Sequence, residues 1–427
     1  VSNPFVSVVN LGCRVNRVES DRMTCDLDQA GFTLVDPDEA ELIVINTCAV
    51  TGEAEAKTRK AVRHALGRAR KPWVVATGCA ANLHGEMLRE LSDRVVVEPS
   101  KVHVVDRACE LLGFEQDDDD DAPAPDLAAL GRARLGIKVQ DGCNNRCTYC
   151  IVWKARGAER SVPVEAVLEQ VRDACAARIP EVVLTGVNLG AYDGVRPGDE
   201  HVEIDELLEI ILDQTDIPQV RLSSIEPMDV SDRLLACMAS HSDRITPFLH
   251  LPVQSGCTET LRRMARPYTA EEFLELTCRI REFLPTASLS CDLIVGFPGE
   301  SEEEFCASRE LCERVGFSRM HVFRYSARPG TPAATMPDQI PPEVMAERSR
   351  EMRDLAERMA LEDRRRRVGS RERVVLESGR HGTTESFHRA AVADAPIDAA
   401  PTIVEADIMG VDDSGVLVCR MARDERP

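Results

Sequence analysis

No stretch of the 427 residues approaches the roughly 18 consecutive apolar residues that a membrane-crossing helix needs, and no signal-peptide pattern opens the chain. The reading therefore expects a cytoplasmic protein with no membrane partner. Excess positive charge is missing as well. The net charge is −21, which excludes a protein that coats nucleic acid indiscriminately, because such binding depends on neutralising phosphates. Disulfide spacing is missing too: the 16 cysteines are dispersed, and without a secretory pattern they are expected as reduced thiols and metal ligands. The 43% hydrophobic and 29% charged residues are ordinary for folded domains, and the length suits two or three of them.

What is present is concentrated in Asp141-Gly142-Cys143-Asn144-Asn145-Arg146-Cys147-Thr148-Tyr149-Cys150, directly after the strand-like run Leu135 to Gln140. Three thiols at C-x3-C-x2-C spacing, in a loop leaving a strand, can wrap one face of a four-iron cluster and leave one iron without a protein ligand. S-adenosylmethionine (SAM) can chelate such an iron through its amino and carboxylate groups. Two other readings stay open on these residues. A zinc site normally wants four protein ligands, often in paired knuckles, and no fourth Cys or His lies nearby. Free cysteines can also simply be small core residues.

Residues 1–114 alternate strand-like and helical patterns, as a doubly wound α/β sheet does. Strands are expected at Phe5 to Asn10, Phe32 to Val35, Leu42 to Asn46, Trp73 to Thr77 and Arg94 to Val97, with helices at Arg17 to Ala30 and over the basic Lys57 to Arg70. Three of these strands end beside a thiol, at Cys13, Cys48 and Cys79. Loops at the carboxyl ends of strands in such sheets converge on one crevice. The three thiols are therefore expected to meet as a second set of cluster ligands, with packed core thiols as the alternative. Asn10, Asn16 and Asn46 are candidates for orienting those ligands or a substrate, or for plain turn and cap roles.

Residues 115–134 read as an acidic linker, carrying Asp117 to Asp121 and then Ala-Pro-Ala-Pro. From 135 to 341 the strand-loop-helix pattern recurs six times, predicting a partial (β/α)6 barrel whose site lies at the strand carboxyl ends. Strands are expected at Leu135 to Val139, Glu181 to Thr185, Gln219 to Ser223, Phe248 to Pro252, Ser288 to Val295 and Arg319 to Arg324. Their exits carry Thr185 to Gly190, Ser223 to Pro227, His250 to Gly256 and Asp292 to Gly299. A charged helix over 342–367 leads to a small β domain, 368–427, with strands expected at Val374 to Glu377, Ala390 to Ala393, Thr402 to Met409 and Gly415 to Arg420. Aromatic residues are nearly absent there: Phe387 stands alone, whereas stacking platforms for single-stranded RNA usually need more. Two basic clusters, Lys57 to Lys71 and Arg364 to Arg373, are candidates for phosphate contact or for solvated faces.

Cys13, Cys48 and Cys79 ahead of Cys143, Cys147 and Cys150 resemble the methylthiotransferase family of radical SAM enzymes. Further matches are Leu11-Gly12-Cys13-Arg14-Val15-Asn16, Asn46-Thr47-Cys48-Ala49-Val50-Thr51, Arg156-Gly157, Ser224-Ile225-Glu226-Pro227, Pro252-Val253-Gln254-Ser255-Gly256 and Val295-Gly296-Phe297-Pro298-Gly299-Glu300. The Cys-Arg-Val-Asn motif and the Thr185 to Gly190 loop look closest to the branch acting on threonylcarbamoyladenosine tRNA (MtaB type). The resemblance implies a methylthiotransferase domain, a radical SAM core and a TRAM-like β-barrel, with two 4Fe-4S clusters and SAM as cofactors. It further implies a methylthio group added at C2 of N6-threonylcarbamoyladenosine beside the anticodon. That hydrogen is unactivated, so a radical is required. Gly186, Ser224, Glu226, Gln254 and Gly296 are the expected SAM contacts, and Lys57, Arg59, Lys60, Arg63, Arg364 and Arg365 the expected RNA contacts. Expected partners are the tRNA anticodon stem-loop, an electron donor such as flavodoxin or ferredoxin, and an unspecified sulfur donor.

The chain departs from the family pattern at Val152-Trp153-Lys154, Val162, Cys257 and Pro267, none of them an expected cluster ligand. Within the family, a ribosomal-protein aspartate and isopentenyladenosine tRNA are rival substrates; Arg14-Val15, where the former branch has Pro-Lys, disfavours the aspartate. Outside enzymes, a two-cluster electron-transfer protein would need fully ligated clusters, which three cysteines per site do not provide.

Overall fold

Each βα repeat at the amino end pairs a strand of β-branched residues with a helix that covers it, and the result in this computed structural model is one parallel sheet. The structure describes residues 3–115, 131–397 and 401–423; the acidic run of the expected linker lies outside them. Strands β1 (Phe5–Asn10), β2 (Thr33–Leu34), β3 (Leu42–Thr47), β4 (Trp73–Gly78) and β5 (Val95–Val97) are ordered β2-β1-β3-β4-β5. Helices α1 (Arg14–Gln29), α2 (Gly52–Leu66), α3 (Cys79–Arg89) and α4 (Val104–Leu112) flank them. The order reverses beside β1 and β3, so the crevice of this sheet opens where Cys13 and Cys48 lie.

Two helix boundaries differ from the sequence reading. Helix α1 starts at Arg14, with Cys13 as its extended N-cap, where neither Ser, Thr, Asp nor Asn signalled a start. Helix α2 begins at Gly52 because Thr51 accepts a bond from Ala54 N–H at 3.1 Å, and it ends at Gly67. Arg68, Arg70 and Lys71 therefore lie beyond the expected basic helix.

The middle of the chain forms six parallel strands: β6 (Arg134–Lys138), β9 (Glu181–Thr185), β12 (Gln219–Leu222), β13 (Phe248–His250), β14 (Ser288–Val295) and β15 (Arg319–Arg324), with the short β7 (Gln140–Asp141) and β8 (Arg160–Ser161) and the hairpin β10 (Asp193–Arg196) and β11 (Glu200–Glu203) between them. Two three-stranded halves, β6-β9-β12 and β13-β14-β15, are joined by single parallel bridges, Val220 to Ile245 and Ser224 to His250. The strands and their covering helices bury one continuous apolar core. Sequence reading missed α5 (Val152–Arg156), the one-turn element that carries the site.

The gap between β6 and β15 is the open side of this partial barrel. Helix α1 closes much of it: Gly136 has no side chain where Val18 presses against β6, and a Cβ there would overlap it. At the floor, Arg221 is fully buried against Glu181 at 2.9 Å and also donates to the Glu385 carbonyl at 2.8 Å. A buried pair of this kind is tolerated because its remaining donors are satisfied. Helix α12 (Pro342–Arg366) runs along β15 to a closed barrel of β16 (Arg371–Ser378), β17 (His381–Thr384), β18 (Arg389–Val392), β19 (Thr402–Val411) and β20 (Leu417–Met421). Strand β17 was not expected; its His-Gly-Thr-Thr carries no apolar alternation.

Candidate active site: two thiol triads on either side of one short helix

Cys13 caps α1, Cys48 directly follows β3, and Cys79 opens α3, so three consecutive βα units deliver one thiol each. Their approach is enforced by the backbone. Gly12 has φ +113° and sits against Cys48, where a Cβ would come within 2.5 Å of the Cys48 Cβ and 2.8 Å of its Sγ. Only glycine accepts both that angle and that distance. Asn16 donates to the carbonyls of Leu11 and Thr47, each at 2.9 Å, and Asn46 donates to the Asn16 carbonyl at 2.9 Å and to Ser20 Oγ at 3.1 Å. The two asparagines thus bind strand ends together, while Asn10 only accepts from Ser20 at 3.1 Å. Burial pushes the Cys48 and Cys79 thiols up, and each also feels the Cys13 sulfur, so the three face one another.

The second triad is local. The loop from Cys143 to Cys150 is anchored by Thr148 N–H to the Met264 carbonyl at 3.0 Å and Thr148 Oγ1 to the Arg263 carbonyl at 2.9 Å. Gly142, at φ +74°, lies so close to the Ala158 carbonyl that any Cβ would overlap it. Burial, together with the neighbouring thiols, pushes Cys143 up to about 11 and Cys150 up to about 12. Arg266, almost fully buried, donates to Cys147 Sγ at 3.2 Å and pairs with Glu226. It places a fixed cation beside one thiol of the triad.

Helix α5 stands between the triads. The Gly157 carbonyl after it accepts from Cys143 N–H at 3.2 Å, and Arg156 at its end reaches Cys79, Glu19 at 2.9 Å, Asp141 at 2.9 Å and Asn16 at 2.7 Å. Burial disfavours the Glu19 charge, but Arg156, with Lys101 and Lys138, outweighs it and holds that carboxyl well below the usual range. This buried network fixes the sheet domain to the barrel beside Cys79 and beside Asp141, which leads into the Cys143 loop.

Among the described residues no three His, Cys, Asp or Glu side chains converge as tightly as a single metal ion needs. A zinc site is normally ringed by four protein ligands at short distance. An iron-sulfur cube is wider, with each thiolate on a different iron, and an all-thiol donor set suits it. Both triads fit such a group by donor chemistry and mutual approach.

The expected SAM contacts fall around the barrel mouth with differing surroundings. Glu226 faces Arg266. Ser224 is bridged to His250, and Gln254, at φ +63°, extends the barrel by a bridge to Leu293. The space beside Gly186 is filled by Gln140, whose Oε1 accepts from Asn188 N–H at 2.8 Å, and Gly296 is packed by Met345 of α12. Asp229, beside Gly190, has an unpartnered buried oxygen, and burial with the charges of Glu226 and Glu159 pushes its carboxyl up to about 6. Of the expected RNA contacts, Lys57 pairs with Glu53 at 2.8 Å and lines a 710 Å3 cavity with Gly12, Cys48, Phe323 and Arg324. Lys60, Arg63 and Arg365 are exposed and Arg59 is half-buried. Arg364 donates to the carbonyls of Ala360 at 2.8 Å and Gly415 at 2.6 Å. Glu19, Arg266 and Asp229 were not legible in the sequence; nothing near them in the chain signals that they meet a thiol or a strand exit.

No helix among the described residues is long and apolar enough to cross a membrane. Residues 137–312 match the Radical SAM superfamily, and residues 6–98 match a family described only as uncharacterized, UPF0004. The threonylcarbamoyladenosine tRNA methylthiotransferase MtaB of Thermotoga maritima is 35% identical over 87% of this chain and 86% of its own length. The tRNA-2-methylthio-N(6)-dimethylallyladenosine synthase of Novosphingobium aromaticivorans is also 35% identical, over 88% and 87%. Among solved structures, the radical SAM methyltransferase TsrM of Kitasatospora setae superposes at TM-score 0.56 with 15% identity, over 78% of this chain and 75% of that one, a likeness of fold alone. With relatives of this identity matched along most of its length, the chain belongs to the tRNA methylthiotransferases of the radical SAM superfamily, transferases whose cofactors are SAM and 4Fe-4S clusters.

Proposed function

We propose that the protein adds a methylthio group to C2 of N6-threonylcarbamoyladenosine beside the anticodon, with Cys143, Cys147 and Cys150 holding the radical-initiating cluster and Cys13, Cys48 and Cys79 the sulfur-delivering one. The observation that carries this reading is that both triads lie against one five-residue helix, α5: Cys143 N–H bonds the Gly157 carbonyl just after it, and Arg156, its last residue, reaches Cys79. When bound, the two clusters and SAM supply the radical that removes an unactivated hydrogen and the sulfur that replaces it.

The chain's own work is positioning. Arg266 holds Glu226 at the barrel mouth beside Cys147, where a carboxylate can accept a hydrogen bond from the SAM amino group. Ser224, Gln254, Gly186 and Gly296 complete that mouth. Arg156 and Glu19 lock the sheet domain onto the barrel, which holds the two triads in a fixed relation. Lys57, Arg59, Lys60 and Arg63 on α2, with Arg365, offer phosphate contacts around an anticodon loop whose base must be turned toward the site. An electron donor of the flavodoxin or ferredoxin type would supply the reducing electron.

Dimethylallyladenosine tRNA is the second reading, favoured by the equal identity to the synthase of Novosphingobium aromaticivorans. Anaerobically reconstituted protein, given SAM, a reductant and tRNA bearing either modified adenosine, separates the two by mass spectrometry of the digested nucleosides. A product from threonylcarbamoyladenosine alone supports the proposal. A product from dimethylallyladenosine alone replaces it with the second reading.

A further inference from the structure

Helix α1 opens with Arg14, the residue directly after Cys13, and its first turn enters the open side of the barrel between β6 and β15. There four guanidinium groups surround the Phe387 ring, which rises from the carboxyl-terminal barrel: Arg14 at 5.6 Å from its centroid, Arg134 at 5.5 Å, Arg221 at 5.0 Å and Arg319 at 5.1 Å. Two of the four are neutralised. Arg221 is bound by Glu181, and Arg134 pairs with Glu377 at 3.0 Å. Among the described residues neither Arg14 nor Arg319 has a carboxylate within ion-pair distance. Glu181, whose charge Arg14 feels, is already held by Arg221 and Gln219.

Arg14 and Arg319 nevertheless remain open to solvent. Arg134 and Arg221 add their guanidinium groups around the same ring. The other polar groups facing the same space do not cancel this charge. His321 is held toward its neutral form by burial, and Asp292 is engaged by His250 at 3.3 Å. The lumen floor thus holds two cations that repel each other and lack a counter-charge. A carboxylate satisfies such a pair through forked hydrogen bonds, while a hydrocarbon would displace their water and return nothing.

The substrates named for the relatives differ in that respect. A threonylcarbamoyl substituent ends in a free carboxylate; a dimethylallyl substituent is hydrocarbon. We propose that Arg14 and Arg319 form a carboxylate-reading subsite, which selects threonylcarbamoyladenosine over dimethylallyladenosine. The inference rests on the proposed function and deepens it. Because Arg14 adjoins Cys13, a substituent held by its guanidinium keeps the adenine near the thiol triad expected to deliver sulfur.

The test compares reconstituted wild type, Arg14→Gln and Arg319→Gln on three anticodon stem-loops, bearing threonylcarbamoyladenosine, its neutral carboxamide, or dimethylallyladenosine. Iron content and circular dichroism establish that each variant has folded. Wild type is expected to lose about tenfold to a hundredfold in kcat/KM when the carboxylate becomes the carboxamide. Each variant should lose a similar factor on the carboxylate substrate and little more on the carboxamide. Equal wild-type rates on carboxylate and carboxamide overturn the subsite, even if no variant folds. A loss in the variants that is the same on all three RNAs also overturns it and assigns the arginines to backbone phosphate. Wild-type activity on dimethylallyladenosine alone overturns the proposed function and the subsite together, an outcome distinct from either of the others.

Discussion

The two thiol triads reach similar chemistry by opposite routes. Cys143, Cys147 and Cys150 lie in one loop, which Thr148 ties across the barrel to the Met264 and Arg263 carbonyls. Cys13, Cys48 and Cys79 come from three separate βα units and meet only when β1, β3 and β4 are paired. Gathering ligands that are distant in the chain costs loop-closure entropy that a ten-residue loop avoids. The difference teaches that the first triad depends on local backbone geometry and the second on the integrity of a whole sheet and its docking to α5.

The largest expected effect separates the triads by function. Replacing Cys143, Cys147 and Cys150 with Ala is expected to remove about four of about eight irons and all SAM cleavage, whereas replacing Cys13, Cys48 and Cys79 removes a similar amount of iron but leaves SAM cleavage in place. Iron assay with paramagnetic resonance, each with and without SAM, reads both. Four irons in wild type and none in the first variant would leave the strand-end cysteines as plain thiols and end the comparison.

Next in size is the buried network that joins the two regions. Glu19→Ala leaves Arg156, Lys101 and Lys138 short of their shared carboxylate, and a loss of about 3–5 kcal/mol is expected from breaking such a pair. Urea unfolding followed by fluorescence and by cluster absorbance should show the strand-end cluster lost first. Simultaneous loss of both clusters would mean that the two regions unfold as one unit. A smaller and more local effect is expected at Gly142→Ala, where a left-handed angle and the Ala158 carbonyl both oppose a Cβ, at about 1–3 kcal/mol. Iron should fall in the loop triad only; equal loss in both triads would show that the loop, too, relies on the sheet.

The smallest effect is a pH dependence at the barrel mouth. Asp229 has its carboxyl raised to about 6 by burial and by Glu226 and Glu159. Between the ordinary aspartate range and pH 6 the native state binds the extra proton, so this group's contribution to stability falls as pH rises through that window. Asp229→Asn should flatten the stability profile there. An unchanged slope between pH 4 and 6 would assign the dependence to other groups.

Regular elements were largely legible. Strands β9, β14 and β15 have the bounds expected from the sequence pattern, since residue alternation records which face is buried. Short elements were not: α5 and β17 have too few residues to show a period. The thiols of both triads could be named from the chain because cysteine at a strand exit is a local signal. Arg266, which meets Cys147, and Glu19, which meets Arg156, could not, because each acts on residues brought near only by packing.

The sequence by itself determined the strand and helix periodicity and the two sets of strand-exit cysteines, both of which depend on residue type and spacing along the chain. The tertiary structure alone decided that α1 packs on β6, that Arg156 reaches Cys79, Glu19 and Asp141 together, and that Arg14 and Arg319 share the Phe387 ring with no carboxylate among the described residues at ion-pair distance from either. Those facts depend on which surfaces are excluded from water together, and a linear chain does not carry that information at any single position.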